Sequence, residues 1–233
     1  MSMRADVVAT PLAAALSYAA RGWPVFPVHS IRPQGTQCTC GRRDCSSPGK
    51  HPRTENGLKD ATLDAAVIRG WWRRWPDAGV AIATGRGLVV IDIDVHKGGD
   101  DSLVDARRAL GDLPESVEVI TGSGGRHIYL AAPEGVVVRC SAGQLGPGLD
   151  VRADGGYVVA PPSLHVSGRR YQWESSGDPD EVEVAPIPDG WLSRLTAPPR
   201  GKALGTAAEV FPEGQRNAGL FSLARSLRAK GLD

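Results

Sequence analysis

Short runs of apolar residues, broken by polar and turn-forming residues, follow one another along most of the chain and predict a strand-rich protein. The runs are rich in β-branched and aromatic residues and are bounded by glycine, proline or aspartate, as is typical of strands. Prolines within the first run indicate an edge strand. The predicted strands lie at 23–28, 80–83, 88–95, 117–120, 127–130, 136–138, 149–152, 157–160 and 171–173.

Two of the connections between these runs indicate hairpins. Residues 84–87 (TGRG) separate the second and third predicted strands, and residues 153–156 (ADGG) separate 149–152 from 157–160. Short, glycine-containing connections are typical of β-hairpins. We therefore expect the two strands of each pair to be hydrogen bonded to each other.

Helical spacing of apolar residues is limited to a few short segments. Thr10 followed by Pro11 predicts a helix start, and Gly22 predicts its end. Thr62 is expected to cap a second helix that ends at Pro76. Two more helices are predicted at 100–110 and 191–195, and another amphipathic helix is predicted in the C-terminal tail.

The composition limits the class of protein. At 233 residues, the chain holds one large or two small domains. Lys+Arg 27 against Asp+Glu 26 gives a net charge of +1, so gross charge favours neither a nucleic acid nor a membrane as partner. No run approaches the roughly 18 apolar residues that span a bilayer, and the N-terminus lacks the pattern of a signal peptide. We expect a cytoplasmic protein with no membrane partner.

Two carboxylates lie on an apolar, β-branched predicted strand. In the run VVIDID at 89–94, one residue separates Asp92 from Asp94, so both project from the same face of a strand. Two ionised carboxylates repel each other unless a cation lies between them. The pair indicates either a divalent metal site or a strand that ends in a turn at Asp94, with Asp92 on a solvated face.

Three cysteines and one histidine lie close together in a long segment without periodicity. Cys38, Cys40, Cys45 and His51 supply the ligand set of a closed tetrahedral zinc site. In a reducing compartment, such a cluster indicates a metal site rather than disulfides. The alternative is an exposed loop whose cysteines are close only in sequence. Cys140 stands alone, and we expect it to be an ordinary buried residue.

A third carboxylate lies in the second half of the chain. Asp150 and Arg152 share one face of a predicted strand. If Asp150 neighbours Asp92 and Asp94 across a sheet, the three carboxylates could hold two divalent cations. That is the arrangement used for in-line phosphoryl transfer.

Residues 121–127 (TGSGGRH) form a glycine-rich connection between two predicted strands. Glycine lets a backbone approach a ligand closely, and Ser123, Arg126 and His127 carry groups that can bind phosphate oxygens. The segment has no Walker A lysine and precedes a strand, so it is neither a P-loop nor a dinucleotide-binding turn. His127 by itself is better explained as a half-buried histidine with satisfied hydrogen bonds.

Taken together, these motifs resemble the bifunctional primase-polymerase domain of the archaeo-eukaryotic primase superfamily, as found in phage, plasmid and prophage replication proteins. The resemblance covers roughly residues 10–195. It is carried by the acidic pair at 92–94, by SGGRH at 123–127 and by GLDVR at 148–152, in the family's order. Flanking segments agree as well, including RGWPVFP at 21–27 and PDAGVAIATG at 76–85.

The resemblance implies an α+β chain with the archaeo-eukaryotic primase fold. In that fold an RRM-like antiparallel sheet forms the catalytic core, beside a second αβ subdomain and a zinc-binding loop, here at about 36–53. Residues 1–196 would form the catalytic domain, 197–212 a linker and 213–233 the truncated start of a helical region. This tail resembles the segment that follows the domain in primase-helicases, so a helicase domain or protein is an expected partner.

The resemblance also implies an enzyme, a nucleotidyltransferase that acts as DNA primase and DNA polymerase. It would use NTP or dNTP on a single-stranded DNA template, making and extending primers for replication. Asp92, Asp94 and Asp150 would bind two Mg²⁺ or Mn²⁺ ions, and His127 would contact the triphosphate of the incoming nucleotide.

Further candidates for binding the triphosphate are Arg152, Ser123, Arg126 and Lys50. Zinc, held by the cysteine cluster, would have a structural role because all four of its ligands come from the protein.

Two other functions fit some of the same residues. A metal-dependent nuclease or phosphohydrolase would use the carboxylates with water as the nucleophile and would need no triphosphate site. A non-catalytic single-stranded DNA-binding module would use the cysteine loop and the tryptophans instead, and its DNA affinity would not depend on Asp92.

Overall fold

The computed structural model describes residues 10–33 and 35–197, which contain four α-helices and ten short strands. Two 3₁₀ turns, Gly57–Asp60 and Val95–Lys97, add to these. The helices are α1 (Pro11–Ala20), α2 (Ala65–Arg74), α3 (Gly99–Leu110) and α4 (Asp189–Thr196). The strands are β1 (Val25–Val28), β2 (Gly79–Ala83), β3 (Leu88–Ile93), β4 (Glu118–Ile120), β5 (Arg126–Ala131), β6 (Ser141–Ala142), β7 (Leu149–Arg152), β8 (Tyr157–Ala160), β9 (Gln172–Trp173) and β10 (Ala185–Pro186).

The larger of two sheets is built around β3. Its strand order is β6-β7-β3-β5-β4-β9, all neighbours on this path are antiparallel, and β10 adds a short parallel pairing to β5. Since β5 runs antiparallel to both β3 and β4, these two strands are parallel to each other, and α3 makes the crossover between them. The strand that carries the acidic pair is therefore internal to the sheet, with a partner on each side.

The smaller sheet has the order β1-β2-β8, and α1 and α2 pack against it. Its first strand is an edge strand, as the prolines in that run predict. Apolar side chains of this sheet also pack against one face of the larger sheet, where Val90 and Tyr129 are fully buried. The opposite face of the larger sheet, including Ile91, packs against α3 and α4. Strict alternation along β3 thus assigns its two faces to two separate cores.

The two predicted hairpins do not form, and this corrects the sequence analysis. β2 pairs with β1 and β8, whereas β3 pairs with β5 and β7. In the same way, β7 belongs to the larger sheet and β8 to the smaller one. Residues 84–87 and 153–156 are therefore crossings from one sheet to the other. A glycine-rich connection is common to hairpins and to such crossings, so the sequence pattern does not separate them.

The two crossings lie side by side and are hydrogen bonded to each other. Buried Thr84 donates from Oγ1 to the carbonyl of Ala153 at 2.7 Å and from its backbone N–H to the carbonyl of Gly156 at 3.0 Å. The backbone N–H of Arg86 donates to Oδ1 of Asp154 at 3.1 Å. These contacts hold the two sheets in a fixed relation at the point where the chain passes between them.

Two local predictions are also wrong. The valines at 136–138 form no strand, because the edge of the sheet beside β7 is already taken by β6 and Val137 remains 62% exposed. The second helix is capped by Asp64, whose carboxylate accepts from the N–H groups of Ala66 and Val67, rather than by Thr62. Thr62 instead pairs with Val25 in an isolated bridge.

The broad prediction, a mixed α and β chain with an antiparallel sheet, is confirmed. The predicted C-terminal helical segment, and all of the predicted linker beyond Ala197, lie outside the described residues. Among the described helices, none has the length and apolar character needed to cross a membrane.

A pair of glycine substitutions tests the contact between the crossings. Gly85 and Gly87 have nearly equal φ angles of +96° and +94°, so alanine should introduce similar backbone strain at both, about 1 kcal/mol. A Cβ at Gly85 would also lie 2.7 Å from Cα of Asp154, whereas one at Gly87 meets only a carbonyl oxygen at 3.7 Å. We expect Gly85→Ala to lower the free energy of unfolding by about 2 kcal/mol more than Gly87→Ala, as measured by urea denaturation. Equal losses would contradict the close approach.

Candidate active site

Three of the sequence-predicted site residues form one row across the larger sheet. Asp92 on β3 lies directly opposite His127 on β5 and Asp150 on β7. All three project from the face that carries Val90 and Tyr129, because the alternate residues of the same strands belong to the other core. The backbone register alone therefore brings together three segments that are far apart in the sequence.

Charged groups within this row are in contact. Nη2 of Arg152 lies 2.8 Å from Oδ2 of Asp150 and 3.4 Å from Oδ2 of Asp92, so the guanidinium bridges the two carboxylates. On the other side, Nε2 of His127 lies 3.5 Å from Oδ1 of Asp92. Asp92 is thus contacted from both neighbouring strands.

His127 is held as a neutral imidazole inside the row. Its side chain is almost fully buried, and this burial lowers the pKa of His127, an effect that the nearby Asp92 carboxylate opposes. Within the described part of the chain, its Nδ1 is buried and has no hydrogen-bond partner. The prediction of a half-buried, satisfied histidine is therefore wrong, because one ring nitrogen remains unpaired.

Asp94 lies one residue beyond the end of β3 and caps the 3₁₀ turn that follows. Its Oδ1 accepts from the backbone N–H of His96 at 3.1 Å, and its Oδ2 lies 2.9 Å from Nζ of Lys97. The hydrogen bond from Lys97 holds the pKa of the Asp94 carboxyl below its usual value. The strand does end in a turn at Asp94, which confirms that part of the sequence interpretation, and a metal-binding role for the same carboxylate remains compatible with it.

A cavity of about 540 Å³ opens in front of this row, at the junction of the two sheets. Its walls combine carboxylates, basic groups, hydroxyls and two tyrosines. Burial raises the pKa of both Tyr157 and Tyr171, so each hydroxyl stays protonated and can donate a hydrogen bond. The polar side chains that line the cavity include Ser47, Lys50, His51, Asp92, Asp94, Lys97, Thr121, Ser123, His127, Asp150, Arg152, Tyr157 and Tyr171.

The glycine-rich turn forms part of the cavity wall through close backbone packing. A Cβ at Gly125 would lie 2.2 Å from the carbonyl oxygen of Ile93, and one at Gly122 would lie 2.1 Å from Cβ of His165. Only glycine fits at these two positions without a shift. The turn brings Ser123 to the cavity, where its Oγ lies 2.9 Å from Oγ1 of Thr121.

Among the residues predicted to bind the triphosphate, Arg126 is the one that does not line the cavity. It precedes His127 on β5, so its side chain emerges from the opposite face of the sheet. There it contacts Asp100 of α3 at 3.2 Å and Glu118 at 3.3 Å. Its inclusion among the phosphate-binding candidates is corrected by the period-two alternation of a strand.

The cysteine cluster is brought together as the sequence predicts. The ligand atoms of Cys38, Cys40, Cys45 and His51 all lie within 4.8 Å of one another. Nε2 of His51 is 3.4 Å from Sγ of Cys38 and 3.5 Å from Sγ of Cys45. Three thiol sulfurs and one imidazole nitrogen match the donor set of structural zinc, so this cluster could bind a structural zinc ion.

His29 packs against His51, the histidine of this cluster, with the two rings tilted by 33°. The two ring centroids are 4.5 Å apart, and Nδ1 of His29 lies 3.1 Å from Oγ1 of Thr39. Burial, together with the neighbouring His51 and Arg53, lowers the pKa of His29 to about 4, so this ring is neutral at pH 7. A neutral ring can support His51 without adding a positive charge beside a metal ion.

The same loop also forms a wall of the cavity. Ser47, Lys50 and His51 line it, and the hydroxyl of Tyr157 donates to the backbone carbonyl of Lys50 at 3.1 Å. Since His51 belongs both to the cluster and to the cavity wall, the fold of the loop determines where the ammonium of Lys50 is held.

The three aspartates differ from the cysteine cluster in their spacing. Among the described residues, the cysteine cluster is the only group of three or more acidic, cysteine or histidine side chains whose ligand atoms all lie within 4.8 Å of one another. The carboxylates of Asp92, Asp94 and Asp150 share the cavity but are farther apart, and each is paired with a cation from the chain.

Sequence reasoning missed several residues of the cavity. Lys97 could have been found, because it follows Asp94 by three residues in a predicted turn region. Tyr157 and Tyr171 carry no such signal, since aromatic residues on strands are usually part of a core.

Cys140, expected to be buried, is exposed and lines the cavity, where its Sγ accepts from the backbone N–H of Ala153 at 3.2 Å.

Carboxylates, basic groups and a neutral imidazole thus line one cavity. A family model described as Prim-Pol, bifunctional DNA primase/polymerase, N-terminal, matches residues 15–190. The chain belongs to this family, whose name implies primase and polymerase activity in general, with DNA and nucleotides as substrates. No curated protein matches the chain closely enough to add a named relative.

Removing one thiol tests the metal cluster. Cys38→Ser should abolish zinc binding, because the remaining three ligands no longer close a tetrahedral site. The matched control is Cys140→Ser, since Cys140 lies outside the cluster, and this variant should retain about one equivalent of zinc per chain. The zinc content of both variants is measured by mass spectrometry after loading with zinc and dialysis. Full zinc retention by Cys38→Ser would contradict the assignment.

Proposed function

We propose that this chain is a DNA-dependent primase and polymerase that uses NTP or dNTP on a single-stranded DNA template, making and extending primers for replication. The observation that carries the proposal is the row formed by Asp150, Asp92 and His127, which faces a cavity lined with basic groups. Membership of the family supplies the reaction class. We propose residues 1–196 as the catalytic domain.

In this function Asp92, Asp94 and Asp150 hold two Mg²⁺ or Mn²⁺ ions. Carboxylate oxygens are the donors that these hard cations prefer. When bound, the ions would lower the pKa of the attacking 3′-hydroxyl and neutralise the charge of the leaving pyrophosphate. The chain contributes the fixed backbone register of β3 and β7, which keeps Asp92 and Asp150 side by side.

The basic and neutral groups of the cavity bind the triphosphate. His127 is buried and neutral, so one ring nitrogen can donate to a phosphate oxygen without an added charge. Arg152 and Lys50 supply positive charge from two sides, and Ser123 supplies a hydroxyl. Zinc, held by the cysteine cluster, stabilises the loop that carries Lys50.

Substitution of the aspartates tests the proposal. Asp92→Asn and Asp150→Asn each remove a negative charge where cations must be held, so both primer synthesis and primer extension should fall at least about a thousandfold. The control is Asp105→Asn, since Asp105 is exposed on α3 and, within the described residues, pairs only with the exposed Arg108. Each variant is assayed on single-stranded template with labelled NTP or dNTP and Mg²⁺ or Mn²⁺, with and without a primer.

The same assay separates the proposal from its competitors. Normal activity in either cavity variant would refute the metal-binding role of that aspartate. Degradation of the template without nucleotide incorporation would identify a nuclease. A wild-type chain that binds single-stranded DNA, shows no activity and keeps its affinity in Asp92→Asn would be a binding module.

A neighbouring pair of residues tests the triphosphate site. His127→Ala should raise the KM for the nucleotide about tenfold, because one hydrogen bond to a charged phosphate is lost. Arg126 precedes it on β5 but faces α3, so Arg126→Gln should leave KM unchanged. Steady-state extension of a primed template gives both values. An equal rise of KM in the two variants would indicate a general effect on the strand rather than a contact with the nucleotide.

A further inference from the structure

Every carboxylate proposed to bind metal is paired with a cation of the chain itself. Arg152 contacts both Asp92 and Asp150, and Lys97 contacts Asp94. Three carboxylates are thus paired with the side chains of two basic residues. This pairing stabilises the aspartates in the absence of divalent ions, but it changes once such ions are bound.

The contact between Lys97 and Asp94 is suited to exchange. The side chain of Lys97 is 74% exposed, and exposed ion pairs are weak because water screens them and the lysine loses rotamer freedom. Lys97 lines the same cavity as Asp92 and Asp150, and the negative charges of both carboxylates attract its ammonium. A divalent ion at Asp94 would compete directly with the ammonium for the same oxygen.

The turn that carries Lys97 does not need this ion pair. The backbone carbonyl of Asp94 accepts from the N–H groups of Lys97 at 3.1 Å and Gly99 at 3.0 Å, and its carboxylate caps the turn through the N–H of His96. Main-chain contacts therefore define the turn, and the ammonium is free to move without unfolding it. A structural role alone does not explain a lysine at this point of the cavity wall.

We propose that Lys97 neutralises Asp94 only until a divalent cation binds there, and then becomes a ligand for the phosphates of the incoming nucleotide. The inference rests on the proposed nucleotidyl-transfer function and adds a residue to it. Once a divalent cation neutralises the charge of Asp94, the ammonium of Lys97 is repelled by the metal ions and attracted by the polyanionic triphosphate. Lysine binds phosphate as a point charge on a flexible stem, so it can change partners without a defined fork geometry.

Two binding measurements on Lys97→Met test this exchange. Without nucleotide, the zinc-loaded variant should bind Mn²⁺ about two- to fivefold more tightly than the wild type, because the competing ammonium is gone. At saturating Mn²⁺, it should bind a non-hydrolysable dNTP analogue about tenfold more weakly, because a charged phosphate contact is lost. The signal of free Mn²⁺ in electron paramagnetic resonance and calorimetric titration of the analogue give the two constants.

Two further variants serve as controls. Lys59→Met removes the same charge from an exposed position outside the cavity and should change neither constant. Lys97→Arg keeps the charge and should restore most of the affinity for the analogue. Circular dichroism and the Tm confirm that each variant is folded.

Opposite changes in the two constants support the exchange. Unchanged or weaker Mn²⁺ binding by Lys97→Met would overturn it, and so would unchanged affinity for the analogue. These outcomes are separate from a failure of the proposed function, which would appear as a wild-type chain without primer synthesis or extension, whatever the Mn²⁺ titration shows.

Discussion

Backbone pairing between β3 and β7 forces Asp92 and Asp150 to face each other, and the site is organised around the resulting repulsion. The register is fixed by main-chain hydrogen bonds and by the apolar residues on the other face of both strands, so the two carboxylates cannot move apart without the loss of that core. Like charges in this position must be offset. Arg152 offsets them in the chain itself, and divalent ions would do so during the proposed reaction.

The surroundings of this pair are explained by the same requirement. His127 is buried deeply enough to stay neutral, so it does not compete with cations for the charge of Asp92. The exposed side of the row opens to a cavity rather than to a third layer of apolar residues. A packed core at this place would leave two carboxylates without solvent or counter-ions, at a large cost in free energy.

The amount that could be predicted from the sequence differs between the parts of the molecule. Strands and helices were largely predictable, because alternation along β3 and the capping pattern at Thr10 are local signals. The partners of the strands were not, since residues 84–87 and 153–156 look the same whether they close a hairpin or cross between sheets. Arg126 was misplaced because a motif assigns residues by spacing, whereas a strand separates neighbours onto opposite faces. Lys97 and the cavity tyrosines depend on tertiary contacts, which no local pattern records.

The paired crossings also bear on how such an enzyme could adapt to its substrate. Among the described residues, three connections lead from a strand of one sheet to a strand of the other, and the two shortest are the four-residue segments 84–87 and 153–156, where Gly85 packs against the backbone of Asp154. A hinge needs residues whose dihedral angles can change freely, and the close contact of Gly85 with Asp154, together with the hydrogen bonds between the crossings, opposes such a change here. The two sheets should therefore act as a single rigid frame, so that fitting of template and nucleotide falls to long side chains and to the cysteine loop rather than to closure of one half upon the other.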